Sequence, residues 1–102
     1  MRDLRFKVSG QTIEKETGCD FTGIASGTDN WLNLVFSFDA SWAGMAKVVC
    51  MRDSNGVETN RVVNGKVAVP SSVTDGKFFS IQIYGKKNGQ LVSTNKLFID
   101  QT

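Results

Sequence analysis

The stretch KFFSIQIYG, Lys77–Gly85, decides the fold. Side chains alternate along a strand, so Phe79, Ile81 and Ile83 share one face and Phe78, Ser80, Gln82 and Tyr84 the other. Asp75-Gly76 turns the chain into it and Gly85 ends it. It reads as the central strand of a small β-sandwich, with the rest of the chain as cover.

Working outward, Lys86–Gln90 is a hairpin loop around Asn88-Gly89, and Leu91–Asp100 returns as the last strand before a short Gln101-Thr102 tail. Upstream, Lys66–Val69 is a short strand stopped by Pro70, which has no N–H to give a ladder. Ser71–Asp75 connects it to the central strand, with room for a single helical turn. Val57–Val63 and Ala46–Arg52 pair across Asp53-Ser54-Asn55-Gly56, where Asn-Gly suits a type I′ turn. In WLNLVFSFD, Trp31–Asp39, Leu32, Leu34, Phe36 and Phe38 form one face and the opposite wall of the core. Burying each stabilises by about 1.5–3 kcal/mol, so Leu34→Asp or Phe36→Asp is expected to unfold the domain. Leu4, Phe6 and Val8 alternate with charges, as in a half-buried edge strand. Thr12–Glu16 is expected to continue on the other sheet, and Cys19–Ile24 to add a short strand before the exposed loop Ala25–Asn30.

Turn dipeptides at 55–56, 64–65, 75–76 and 88–89 are 9, 11 and 13 residues apart, the spacing of an all-β sandwich. The expected fold is a single immunoglobulin-like β-sandwich domain over 1–102, with about seven to eight antiparallel strands in two sheets. Ten glycines against one proline agree with a turn-rich β protein.

Composition narrows function by exclusion. A net charge of +2 gives no footprint for nucleic acid or an anionic membrane. No apolar run is long enough to span a bilayer, and MRDLRFKVSG is no signal peptide, so synthesis in a cytoplasm is expected. The chain has no histidine, which removes the commonest general base and metal ligand. Cys19 and Cys50 lack the companions of a zinc site and read as free thiols, although a sandwich could bring them together across its core. Ser93 and Lys96 have Ser-x-x-Lys spacing, but alternation puts them on opposite faces. Asp53–Gly56 resembles a fragment of a calcium loop without the acids that complete one, and a hairpin explains it. No catalytic, cofactor or metal residue is expected.

Aromatics remain. Trp42 lies in a connector of small residues, ASWAG, and either caps the core, the favoured reading, or stands out to bind a sugar or protein. Phe78, Tyr84 and Phe98 form an apolar docking patch if they face outward; with the phase reversed they form the core and Phe79, Ile81 and Ile83 face out. Trp42, Phe78 and Tyr84 are the candidate interface residues.

Three segments carry a family resemblance: Gly65–Val73 (GKVAVPSSV), Phe79–Gly85 (FSIQIYG) and Ser93–Leu97 (STNKL). A strand ending in apolar-Pro-x-x-Val, a strand ending in aromatic-Gly and a Thr-Asn before the last strand resemble an immunoglobulin-like domain of tailed-phage and prophage structural proteins. Leu32–Phe38 fits the strand expected upstream. Such domains occur in capsid decoration proteins, head fibres and baseplates, and the family has no catalytic residues to carry over. The resemblance implies a non-enzymatic virion protein, made in a bacterial host cytoplasm and bound to the major capsid or another virion protein. A domain standing alone from Met1 suits a small auxiliary or decoration protein on the capsid surface. The alternative is a carbohydrate-binding or adhesion sandwich using Trp42 with Asp29 and Asn30.

Overall fold

The computed structural model describes residues 1–101; Thr102, the end of the expected tail, lies outside them. One sheet holds β1 (Arg2–Ser9), β2 (Thr12–Lys15), β3 (Leu32–Phe38) and β6 (Val67–Ala68), in the order β2-β1-β3-β6. The other holds β4 (Ala46–Arg52), β5 (Glu58–Val62), β7 (Phe78–Lys87), β8 (Gln90–Ser93) and β9 (Leu97–Asp100), in the order β5-β4-β7-β8, with β9 also on β7. The two sheets pack as a β-sandwich. The order of the second sheet is that of the immunoglobulin sheet whose outer strands flank a central antiparallel pair.

The central strand is β7: β4 pairs along one side, and β8 and β9 lie end to end along the other. Phe79, Ile81 and Ile83 are fully buried, so the phase that points Phe78 and Tyr84 outward holds. β7 runs two residues past Gly85, because Asn88 (φ 51) and Gly89 (φ 78) both take the left-handed conformation of a two-residue I′ turn. The Asp53–Gly56 turn is of a different kind. Only Gly56 is left-handed (φ 83), and the Asp53 carboxylate accepts from the N–H groups of Asn55 and Val57, both at 2.9 Å. That carboxylate caps its own turn.

Several expectations are corrected. β2 folds back on β1 through Gly10-Gln11 in the same sheet and does not cross to the other. This places β1 between β2 and β3, so its charges mark a solvent face and not an edge. β1 runs parallel to β3, which a long connection permits: residues 16–31 carry the chain back to the end where β1 began. No strand forms over Cys19–Ile24. Instead the Arg2 guanidinium donates to the carbonyls of Asp20 (2.9 Å) and Thr22 (2.6 Å), while Phe21 packs on Phe6.

The expected strand Leu91–Asp100 is broken. Ser93 lies opposite Tyr84 and Leu97 opposite Ile81, so three residues, Thr94, Asn95 and Lys96, face two on β7. The extra residue is a bulge, and it reverses the alternation. Val92 packs on the core before it and Leu97 and Ile99 after it, leaving Leu91 71% exposed.

The core draws Leu4, Phe6 and Val8 from β1, Leu32 and Leu34 from β3, and Val49 and Met51 from β4 against the inner face of β7. An aromatic run follows its margin: Phe21, Phe6, Phe36, Phe38 and Trp42, with successive ring centroids 5.4, 5.5, 6.0 and 5.5 Å apart. Each such pair adds about 0.5–1.5 kcal/mol beyond the area it buries.

Candidate functional site

The two outer faces of the sandwich differ. On the β1 sheet the outward residues include Asp3, Arg5, Lys7, Asn33 and Ser37. Asp3 pairs with Lys66 at 2.9 Å and with Arg5 at 3.7 Å, and the Asn33 amide donates to it at 3.2 Å. The Lys66 hydrogen bond, then that of Asn33, holds the Asp3 carboxyl below the usual aspartate range. This face is solvated and internally paired.

The outer face of the β7 sheet is more apolar. Register places Val62, Val48, Tyr84 and Ser93 in one row, and Glu58, Arg52, Ser80 and Phe98 in another. Phe78 and Phe98 meet edge to face with centroids 6.0 Å apart, yet are 37% and 55% exposed. Val62 and Leu91 are more exposed still. The polar groups between them pair mostly within the face, with the Arg52 Nε buried and unpartnered. The Tyr84 hydroxyl donates to Gln82 Oε1 at 3.0 Å, Gln82 Nε2 donates to the Thr94 carbonyl at 2.7 Å, and Arg52 pairs with Glu58.

Of the candidate interface residues, Phe78 and Tyr84 share this outer face. Trp42 does not, and its reading as an exposed binding residue is corrected. Its indole is 1% exposed, sits on a single 3-10 turn (Ala40–Trp42), contacts Phe38, and donates from Nε1 to the Gly10 carbonyl at 2.8 Å. It caps the core. Gly85 makes room for it: a Cβ there would clash with the Trp42 ring and lie 3.0 Å from Met45 Sδ. Asp29 and Asn30 precede β3 and Trp42 follows it, so about 20 Å of strand separates them. The tryptophan beside Asp29 and Asn30 is Trp31, 54% exposed. Sequence reading missed Trp31 and Val62. The Asp53–Gly56 hairpin held a signal for Val62, since its register sets Val62 across from Val48.

A cleft of about 540 Å³ is lined by Gly10, Gln11, Ser41, Met45, Gln90, Leu91 and Val92 with the edge of Trp42, and holds no titratable side chain. Among the described residues no cluster of three or more His, Cys, Asp or Glu could hold a metal. No helix among them is long and apolar enough to cross a membrane. Cys19 and Cys50 are free thiols; Cys50 is buried, and Cys19 accepts weakly from the Arg5 N–H at 3.4 Å.

No protein-family model, curated protein or solved structure matches the chain.

Proposed function

We propose that the chain is a non-enzymatic structural protein of a tailed-phage virion, an auxiliary protein that decorates the capsid. It docks through the outer face of the β7 sheet. The observation that supports this most is the contrast between the faces: one sheet shows solvent paired charges, the other an exposed aromatic pair, Phe78 and Phe98, towards one end and exposed Val62 and Leu91 towards the other. Large apolar side chains left exposed on one face of a domain that already has its core mark a protein contact. The resemblance supplies the class of partner, a virion shell protein.

Quantitative mass spectrometry of purified particles tests the reading. A copy number of the same order as the major shell protein is expected. A copy number many times lower moves the chain to a vertex, neck or tail, and absence from particles overturns the virion assignment. The double variant Phe78→Ser/Phe98→Ser should fold normally and fail to bind particles.

A second reading, a carbohydrate-binding surface, is favoured by one observation, the exposure of the Trp31 indole beside Asp29 and Asn30. Glycan-array binding abolished by Trp31→Ala would support it.

A further inference from the structure

Parallel pairing with β1 covers β3 along one side, and the other side is left to the two-residue β6. In a parallel ladder, alternate residues turn their backbone groups to opposite neighbours. The Arg2 N–H donates to the Trp31 carbonyl at 2.9 Å and the Asp39 N–H to the Val8 carbonyl at 3.1 Å, which sets the phase. Asn33, Val35 and Ser37 therefore turn to β1, and Leu32, Leu34, Phe36 and Phe38 turn the other way. On that side the Val69 N–H reaches the Leu32 carbonyl at 2.9 Å, and β6 pairs with Asn33 and Leu34. There the cover ends. The chain before β6 belongs to the other sheet, where the Val63 N–H donates to the Lys47 carbonyl at 2.9 Å. Phe36 and Phe38 present their N–H and C=O groups at an edge that no strand among the described residues pairs.

This edge borders a cleft of about 370 Å³ between Val35, Phe36 and Phe38 on one side and Lys47 with the 63–66 segment on the other, with no carboxylate in its lining. Lys66 is committed to Asp3. Lys47 Nζ lies 5.1 Å from the Phe38 ring centroid, donates to the Met45 carbonyl at 3.2 Å, and has no carboxylate partner among the described residues. Free edges are normally blunted by proline, charge or a bulge. Val35-Phe36-Ser37-Phe38 carries none of these and leaves two aromatic side chains half-buried.

We propose that the Phe36–Phe38 edge is a strand-addition site for an extended segment of a partner protein. The added backbone completes the ladder that β6 leaves unfinished. An inward apolar side chain packs on Phe36 and Phe38, and an acidic side chain of the segment meets Lys47. Backbone bonds give such a mode its affinity, and the alternate side chains give its specificity. The site is separate from the outer face of the β7 sheet and does not depend on the virion reading.

Amide exchange by NMR, then peptide titration, tests it. In the free protein the Phe36 and Phe38 amides should exchange fast and those of Val35 and Ser37 slowly. The probes are an acetylated hexapeptide alternating valine and threonine and ending in aspartate, its lysine-ended counterpart, and versions N-methylated on alternate residues. The aspartate peptide should protect the Phe36 and Phe38 amides and bind about tenfold tighter than the lysine one. Lys47→Glu should reverse that order, and N-methylation on the ladder-facing residues should abolish binding. Equal protection of all four amides in the monomer would overturn the proposal, as would the absence of any peptide-induced shift at Phe36 and Phe38. Protection in the free protein that disappears on dilution would assign the edge to a second copy of the chain instead.

Discussion

The side-chain amide of Asn95 pairs with the backbone of Ile13 as a peptide group would. Asn95 Oδ1 accepts from the Ile13 N–H at 2.8 Å, and Asn95 Nδ2 donates to the Ile13 carbonyl at 3.3 Å. Asn95 lies in the bulge between β8 and β9, and Ile13 on β2, so the pair ties an edge of one sheet to an edge of the other. Thr94 anchors the same bulge to β7: its N–H donates to the Ile83 carbonyl at 3.0 Å and its Oγ1 accepts from the Ile83 N–H at 3.1 Å. Asn95→Ala leaves the Ile13 N–H without its acceptor, at a cost of about 1–2 kcal/mol. Its melting temperature should fall by about 5–10 °C. Asn95→Asp retains the acceptor and should lose less. A calorimetric scan of Asn95→Ala indistinguishable from the parent would show that the pair contributes nothing.

Gly85 and Trp42 make the second prediction. A methyl group at Gly85 meets the Trp42 ring and Met45, both held by packing, so Gly85→Ala should destabilise by about 1–3 kcal/mol through overpacking. Trp42→Phe removes the Nε1 bond to Gly10 and part of the ring's volume, and should be destabilising too. Combined, the smaller ring should relieve the clash, so the two losses should sum to more than the double variant shows in urea titration. Simple additivity would mean that Gly85 does not make room for Trp42.

Leu34 and Phe36 share a face of β3 but not an environment. Leu34 is fully buried under β6, whereas Phe36 is half-buried at the open edge. Leu34→Asp should leave no folded protein. Phe36→Asp should remain folded with reduced stability, because its carboxylate can reach water. The sequence predicts unfolding for both; circular dichroism melts of the two variants separate these outcomes.

Three aspartates set the acid limit. Hydrogen bonds hold their carboxyl groups below the usual range: from Lys66, then Asn33, on Asp3; from Thr22 on Asp20; and from Ser41 first, then Gly10 and Ser9, on Asp39. A carboxyl whose folded pKa is lowered binds fewer protons in the folded state. Its stabilisation is therefore full above the unfolded value of about 3.9 and is lost as pH falls through the folded value. Urea midpoints should stay flat from neutral pH down to about 5 and drop below about 4. Asp39→Asn should lower the neutral-pH midpoint and shallow the acid drop; an unchanged acid limb would remove Asp39 from this account.

The quoted turn dipeptides and the alternation in Phe78–Tyr84 and Leu32–Phe38 were enough to reach a sandwich, its central strand and the strand sharing its core. These are local properties, since turn chemistry and period-two patterning act between neighbours in sequence. The Thr-Asn and aromatic-Gly marks were visible as pattern, but their reasons were not: Asn95 answers to Ile13 and Gly85 to Trp42, across 82 and 43 residues of chain.

Only the tertiary structure decided which aromatics face solvent. The alternation of β7 fits either phase, and burial against Leu4, Phe6 and Leu34 selects the one that leaves Phe78 and Tyr84 outside. Trp42 and Trp31 are one residue type in two loop-like settings; the first is covered because Gly85 and Gly10 lie beneath it, and the second is not. The open edge at Phe36 and Phe38 likewise follows from β1 pairing in parallel and β6 stopping after two residues. Such outcomes depend on which distant segments meet and in what register, and no neighbouring residue carries that information.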